Sequence, residues 1–316
     1  MNQTYRATGI NLKGMPLNES DRLLTVLTRE HGLVRMVAQG ARKPKSQLGG
    51  RTDLFVVNQL LIRKGRSLDK LYQAETVKSY GKLSRNLGKL AAGQYLAELV
   101  LTQALSDQPQ EELFLLLSEH LDRLENLPNQ PGVATCNQVL ACLAHGIFHL
   151  LAFAGVAPQF HLCCRTQSPI IPEIDDVSWK IGFSITAGGV ITLNQVKQSQ
   201  HQSLSRSISG QIIAVSESPE SSNTSTSYDR EIKINYRLNS AQIVLLQQLT
   251  HPVLSDNLQS GQALGVQRVN LETPPSLADW ILIEQLLRQY AEYHLGRGIR
   301  SALLIDTYTQ QSQMYN

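Results

Sequence analysis

Between Thr4 and about Lys78, apolar residues come in short or alternating runs cut by glycine, proline and charge, the two-residue period of strands. Five strands are expected: Tyr5–Leu12, Arg22–Arg29, Leu33–Gln39, Leu54–Ile62 and Leu68–Val77. Breakers fall at Gly14-Met15-Pro16, His31-Gly32, Gly40 to Gly50 and Lys64-Gly65-Arg66. So many strands in so short a stretch suit a small closed barrel, because closure removes the exposed edges of a sheet.

After Gly81 the period lengthens. Leu96, Leu99 and Val100, then Leu113, Leu116, Leu117, Leu121 and Leu124, recur at three- and four-residue steps, as amphipathic helices require. The next helix, Val133 to Gly155, is apolar almost all round and is expected at the centre of a helical domain; Gly155 and Pro158 stop it. Residues 156–194, with Cys163-Cys164, Trp179 and Gly188-Gly189, read as a small β-rich insertion. The following 33 residues, ending at Ser227, hold 11 Ser and 5 Gln, a linker composition that cannot bury enough apolar surface to offset chain entropy. Helical pattern returns at Ser240–His251 and Ser276–His294, each with a serine cap, and at Ile299–Tyr308.

Charge divides the chain the same way. Of 29 Lys and Arg, 17 lie in the first 90 residues against 6 Asp and Glu, giving that segment +11 and leaving −8 for the rest. A whole-chain net charge of +3 hides this split. The cationic end suits a polyanion, and nucleic acid is the first candidate. Arg42, Lys43, Lys45 and Arg51 sit in one glycine-flanked connection, Arg63, Lys64 and Arg66 in the next hairpin, with Arg22 and Arg35 on the strands between. In a barrel of the oligonucleotide-binding kind, strands two and three and the 1–2 and 4–5 loops form the usual binding face. Tyr5, Phe55, Tyr72 and Tyr80 are the aromatics of this module and some must fill its core, so phosphate contacts, tolerant of sequence and weakened by salt, are expected over base stacking.

The 42% apolar content supports a packed core, no run is long and unbroken enough to span a membrane, and four cysteines are too few for a disulfide framework; a cytoplasmic protein is expected. Cys142, His145 and His149 fall along one helical seam, with Cys163 a conceivable fourth ligand, yet no C-x-x-C pair accompanies them, and on an apolar helix such residues are usually packing residues. No metal is therefore assigned. The chain has no G-x-S-x-G elbow, phosphate-binding loop or H-E-x-x-H helix, and no catalytic residue is assigned.

Several stretches carry a family resemblance: Asn18-Glu19-Ser20-Asp21-Arg22-Leu23-Leu24-Thr25, Thr28-Arg29-Glu30-His31-Gly32, Gly40-Ala41-Arg42-Lys43-Pro44-Lys45-Ser46, Tyr95-Leu96-Ala97-Glu98-Leu99, and His294-Leu295-Gly296-Arg297 with Ser301. The chain resembles the RecO family of bacterial recombination mediators over about 1–165 and 238–305. The resemblance implies an α+β protein: an OB-fold DNA-binding barrel at 1–80, then a helical domain at 81–316. In that domain 156–195 reads as a degenerate zinc-ribbon-like insertion, and 196–237 as a Ser/Gln-rich insert longer than the family pattern needs. It implies a nucleoid-associated protein that binds single- and double-stranded DNA, anneals complementary strands and works with RecR to load RecA onto DNA coated by single-strand-binding protein, whose acidic tail it contacts. Arg22, Arg42, Lys43 and Lys45 stand at the family's basic N-terminal positions. Many members carry a four-cysteine zinc module after the Gly-x-x-Pro that here is Gly155-Val156-Ala157-Pro158. Cys163 matches the first ligand, but Thr166, Thr192 and Gln195 stand where the others belong, so a metal-free remnant packed by Trp179, Phe183 and Ile185 is expected. Two rival functions remain: a metal-dependent nucleic-acid-processing enzyme built on Cys142, His145 and His149, and a scaffold whose barrel binds protein.

Overall fold

The computed structural model describes residues 3–193, 232–252 and 275–314. Most of the Ser/Gln-rich stretch, and Gln195, lie outside these. The chain is an α+β protein whose contacts define two units, Met1–Ala157 with Leu249–Asn316, and Pro158–Gln248.

The first unit opens with β1 (Thr4–Leu17), β2 (Asp21–Thr28), β3 (Gly32–Ala38), β4 (Val56–Arg63) and β5 (Asp69–Ser79), closed into a barrel in the order β1-β2-β3-β5-β4. All pairings are antiparallel except β3 with β5, which runs parallel from Met36↔Asp69 to Ala38↔Leu71 and completes the closure. Alternation sends Leu24, Val26, Val34, Met36, Leu60, Ile62 and Leu71 inward as one core. The strands agree with their expected positions except at one breaker, since β1 runs straight through Gly14-Met15-Pro16. The register explains why. β1 pairs with β4 only as far as Ile10, so beyond that point its outer edge has no strand partner and Pro16 forfeits no ladder bond there.

A 3₁₀ turn at Gly81–Arg85 leads to α1 (Leu87–Gln103), α2 (Glu111–Asn126) and α3 (Val133–Phe153). α3 packs against α1, α2 and α5 (Leu277–Leu295) and is the central helix that its composition predicts. It is long and apolar enough to cross a membrane by composition, but two-thirds of that window is buried within the protein. α6 (Ala302–Gln313) packs on α1 and α3. α5 has the expected Ser276 cap, completed as a capping box by Asp279. Arg29 pairs with Glu111, and Lys78 with Asp122, tying the barrel to α2. Between them the β2–β3 turn meets the α1–α2 connection: Leu33 N donates to Leu105 O at 2.8 Å. Gly32, at φ +63°, permits this, because a Cβ there would lie 2.1 Å from the Leu105 carbonyl oxygen.

The second unit contains β6 (Ile181–Ser184), β7 (Gly189–Ile191) and β8 (Tyr236–Leu238) in the order β7-β6-β8, followed by α4 (Ser240–Gln248). β8 straddles the end of the Ser/Gln-rich insert placed at 196–237, where no strand is expected; three residues paired on Ile181–Phe183 are too short for a periodic signal. The cap of α4 is Asn239, not Ser240. Its side-chain oxygen accepts from Gln242 N at 2.8 Å, and Gln242 Oε1 accepts in turn from Asn239 N.

Candidate nucleic-acid interface

The connection leaving β3 is held in place before its cations are considered. Asp21 at the head of β2 accepts from Gly40 N at 2.8 Å and from the Ser20 hydroxyl, and these bonds, with Lys43 nearby, hold its carboxyl below the usual range. Arg42 N donates to Ser20 O at 2.9 Å and Arg42 Nη1 to Asn18 O at 3.0 Å, so the loop is clipped to the β1–β2 turn. Gly40 makes the sharp exit at φ +66°. Arg42, Lys43 and Lys45 are exposed on this clipped loop. Further along, the buried side chains of Asn11 and Asn58 both donate to Arg51 O, at 2.8 and 2.9 Å, fixing the 3₁₀ turn Gly50–Thr52 and with it Arg51.

Arg22 plays a different part. It shares the inward parity of Leu24 and Val26 but stands at the barrel's end, where Nη1 donates to Thr52 O and Oγ1 and to Asp53 Oδ1 at 2.9–3.0 Å. It positions the loop. Arg35, of opposite parity to Val34 and Met36, stands exposed on the outer face of β3. Lys64 lies 3.8 Å from Asp107, and Arg66 is exposed in the β4–β5 hairpin. Arg63 lies over the ring of Tyr72 at 5.6 Å. Among the described residues Arg35, Arg42, Lys43, Lys45, Arg51 and Arg66 form no ion pair. Lys89, counted in the cationic segment, is buried. Its ammonium donates to the Glu125 and Leu127 carbonyls at the end of α2, and burial holds its pKa down.

These cations border two clefts. The larger, about 640 Å³, is lined by Arg22 and Arg42 together with Lys13, Arg297 and Arg300, five cations facing the carboxylates of Asp53 and Glu98. Asp53 is engaged by Arg22, and Glu98 by Arg300 N and by Ser301 N and Oγ at 2.6–3.1 Å. Neither Arg297, which appears only within a resemblance stretch, nor Arg300 is a binding candidate in the sequence, because they lie some 250 residues beyond the barrel loops; folding closes that gap. The second cleft, about 400 Å³, holds Arg35 and Lys64 beside Asp69 and Asp107 and is nearly balanced in charge. Tyr5 packs edge-on against His31 there; burial and its hydrogen bond to Asp69 push the phenol pKa up. Phe55 and Tyr80 fill cores as expected, while Tyr72 is 64% exposed, one ring beside Arg63 and short of a stacking platform.

The other sequence candidates resolve separately. Cys142 is not part of the ligand-competent group at this seam; a ring nitrogen from each of His120, His145 and His149 lies within 4.8 Å of the other two. His120, on α2, carries no signal at its own position. In the second unit, Cys163 Sγ lies 3.7 Å from the Thr192 hydroxyl. Burial raises its pKa, but hydrogen bonds from the Thr166 hydroxyl and from backbone N–H groups of Thr192, Thr166 and Arg165 outweigh that and bring it to about 7. Thr166 and Thr192, which the resemblance aligns with zinc ligands in other members, thus both meet the Cys163 sulfur. In the same unit Phe183 and Ile185 are buried and Trp179 is half-buried.

A closed five-stranded barrel in this strand order, with a basic loop that forms no ion pair among the described residues and a helical region following it, defines an OB-fold protein. Family models agree: residues 1–80 match "Recombination protein O N terminal" and residues 84–197 match "Recombination protein O C terminal". The chain belongs to the RecO family. It is 51% identical to the DNA repair protein RecO of Trichodesmium erythraeum, over 98% of this chain and 96% of that one. It is 48% identical to that of Nostoc sp., over 98% and 97%, and 39% identical to that of Gloeobacter violaceus, over 96% and 93%.

Proposed function

We propose that this protein acts in DNA repair and recombination as a non-catalytic mediator: it binds single- and double-stranded DNA through phosphates, anneals complementary strands and, with RecR, loads RecA onto DNA coated by single-strand-binding protein. Membership of the RecO family supports the repair and recombination role. The observation that carries the DNA-binding part is the loop of Arg42, Lys43 and Lys45, ordered by backbone and Asp21 hydrogen bonds while its own charges have no ion-pair partner among the described residues. Such a loop meets a phosphate chain without first giving up a salt bridge or an ordering entropy. Arg35, Arg51, Lys64 and Arg66 extend the cationic rim, and Arg22 and Arg63 act by position, one holding the loop and the other lying on Tyr72.

Annealing needs two polyanions in one place, and a cationic face that neutralises both lowers their repulsion; no bond is broken and no nucleotide is consumed. The single-strand-binding protein's acidic tail would meet the same kind of charge. With about five phosphates contacted, log affinity for single strands falls against log salt at about −3.5. Replacing Arg42, Lys43 and Lys45 together by Ala should flatten that slope by about 2 for every sequence tested. An unchanged slope removes this loop from the site. Cleavage or chemical change of DNA incubated with divalent ions would instead favour the enzyme. Nucleoid association in the cytoplasm follows from the same reading.

A further inference from the structure

Deep between α2 and α3 lies a cluster of imidazoles with no part in the DNA-binding reading. His120 on α2 is 1% exposed, and its Nε2 has no hydrogen-bond partner among the described residues. His145 and His149, one turn apart on α3, both donate Nε2–H to a single acceptor, the carbonyl oxygen of His251, at 2.8 and 3.2 Å. That fixes their tautomers and leaves Nδ1 of each as the lone-pair atom. A backbone carbonyl bound to the far nitrogen is also what orients histidines that ligate metals. The three rings crowd together, His145 and His149 with centroids 3.9 Å apart and His120 at 5.4 and 5.2 Å from them.

A cation already sits at this cluster. Arg123 Nη1 donates to His145 Nδ1 at 2.7 Å, while Nη2 pairs with Glu119 and donates to Pro252 O at 2.9 Å. Glu119 is exposed and could retain the guanidinium if it left the histidine. An unpartnered nitrogen on a ring as buried as His120 carries an uncompensated desolvation cost, and a coordination bond is one way to remove it.

We propose that His120, His145 and His149 form a three-histidine site for a borderline divalent cation of the zinc class, bound in exchange for the Arg123 guanidinium. One ring nitrogen of each histidine lies within 4.8 Å of the others, and tetrahedral zinc–nitrogen bonds need the ligand atoms ~3.3 Å apart, so the rings must turn on metal uptake. Imidazole donors select Zn²⁺, Co²⁺ or Ni²⁺ over Mg²⁺ and Ca²⁺. No covalent or redox step is involved. Uptake trades the Arg123 tie between α2 and His145 for a metal tie between α2 and α3.

Chelator-treated full-length protein titrated with Co²⁺, then with Zn²⁺, tests this. One equivalent should bind with the visible absorption of nitrogen-ligated Co²⁺ and without the intense thiolate band, and Zn²⁺ should displace it. His120→Gln and His149→Gln should each weaken binding at least tenfold, and Cys163→Ser with Cys164→Ser should leave it unchanged. Arg123→Gln should tighten binding several-fold, a gain that misfolding cannot produce and that holds the proposal to account if a histidine variant unfolds. No stoichiometric binding, a thiolate spectrum, loss of binding in the cysteine variant, or an Arg123→Gln protein that binds no tighter would each overturn the proposal.

Discussion

The barrel rim and the helical bundle handle charge in opposite ways. At the rim, Arg35, Lys43, Lys45 and Arg66 stand in water, while carboxylates and carbonyls nearby hold the backbone that presents them. In the bundle, Glu284 is 2% exposed and is gripped by Arg288, which also binds both oxygens of Asp306, tying α5 to α6. Burial raises the Glu284 pKa and Arg288 opposes that, while the two carboxylates hold the guanidinium charged against its own desolvation. The same residue types therefore serve different ends: an exposed cation remains available to a partner, whereas a buried one is committed to architecture and cannot be removed alone without stranding its counter-charge.

Substitutions on the two sides should separate cleanly. The largest effect is expected for Arg288→Met, which leaves Glu284 buried and uncompensated: a loss of about 3–5 kcal/mol in urea unfolding, with DNA affinity of the folded fraction unchanged. A loss below 1 kcal/mol would mean that the triad is dispensable. The triple change of Arg42, Lys43 and Lys45 to Ala should do the reverse, lowering DNA affinity about a hundredfold at 0.1 M salt while stability stays within about 0.5 kcal/mol. If its melting temperature fell sharply, the loop would be structural and the contrast between rim and bundle would collapse.

Gly32→Ala probes the seam between them. Its positive φ and the 2.1 Å approach to Leu105 O predict a loss of about 2 kcal/mol in thermal unfolding. The smallest effect is expected for Glu98→Gln, about 1 kcal/mol at neutral pH after solvent screening. Burial pushes the Glu98 carboxyl up, but bonds from Ser301 and Arg300 outweigh it, and its pKa lies below the ordinary 4.5. The unfolded chain therefore binds the proton more readily, so the contribution is present in full above 4.5 and is lost as pH falls through the lower folded value. Unfolding curves of wild type and variant should converge in that acid range. A constant gap would show that the carboxylate's charge is not what matters.

Much of this contrast was legible before folding. Two-residue alternation located all five barrel strands, and the apolar girth of Val133–Phe153 marked α3 as central, because burial imposes those patterns locally. Pro16 misled because a proline's cost depends on whether its strand edge has a neighbour, which is a property of the sheet. Asn239 was passed over for Ser240 because both cap well, and only the Gln242 side chain reaching back decides between them.

By itself, the sequence determined the order and type of the barrel strands and the main helices, the cationic front segment and the loops that bear it, since hydrophobic period and charge are written along the chain. Tertiary structure alone decided which charges meet: that Lys89 is buried, that Arg22 holds a loop, that Arg297 and Arg300 share a cleft with Arg42, and that His120 completes a cluster with His145 and His149. Each of these depends on groups distant in sequence but adjacent in space, and electrostatic and coordination chemistry act over a few ångströms of space.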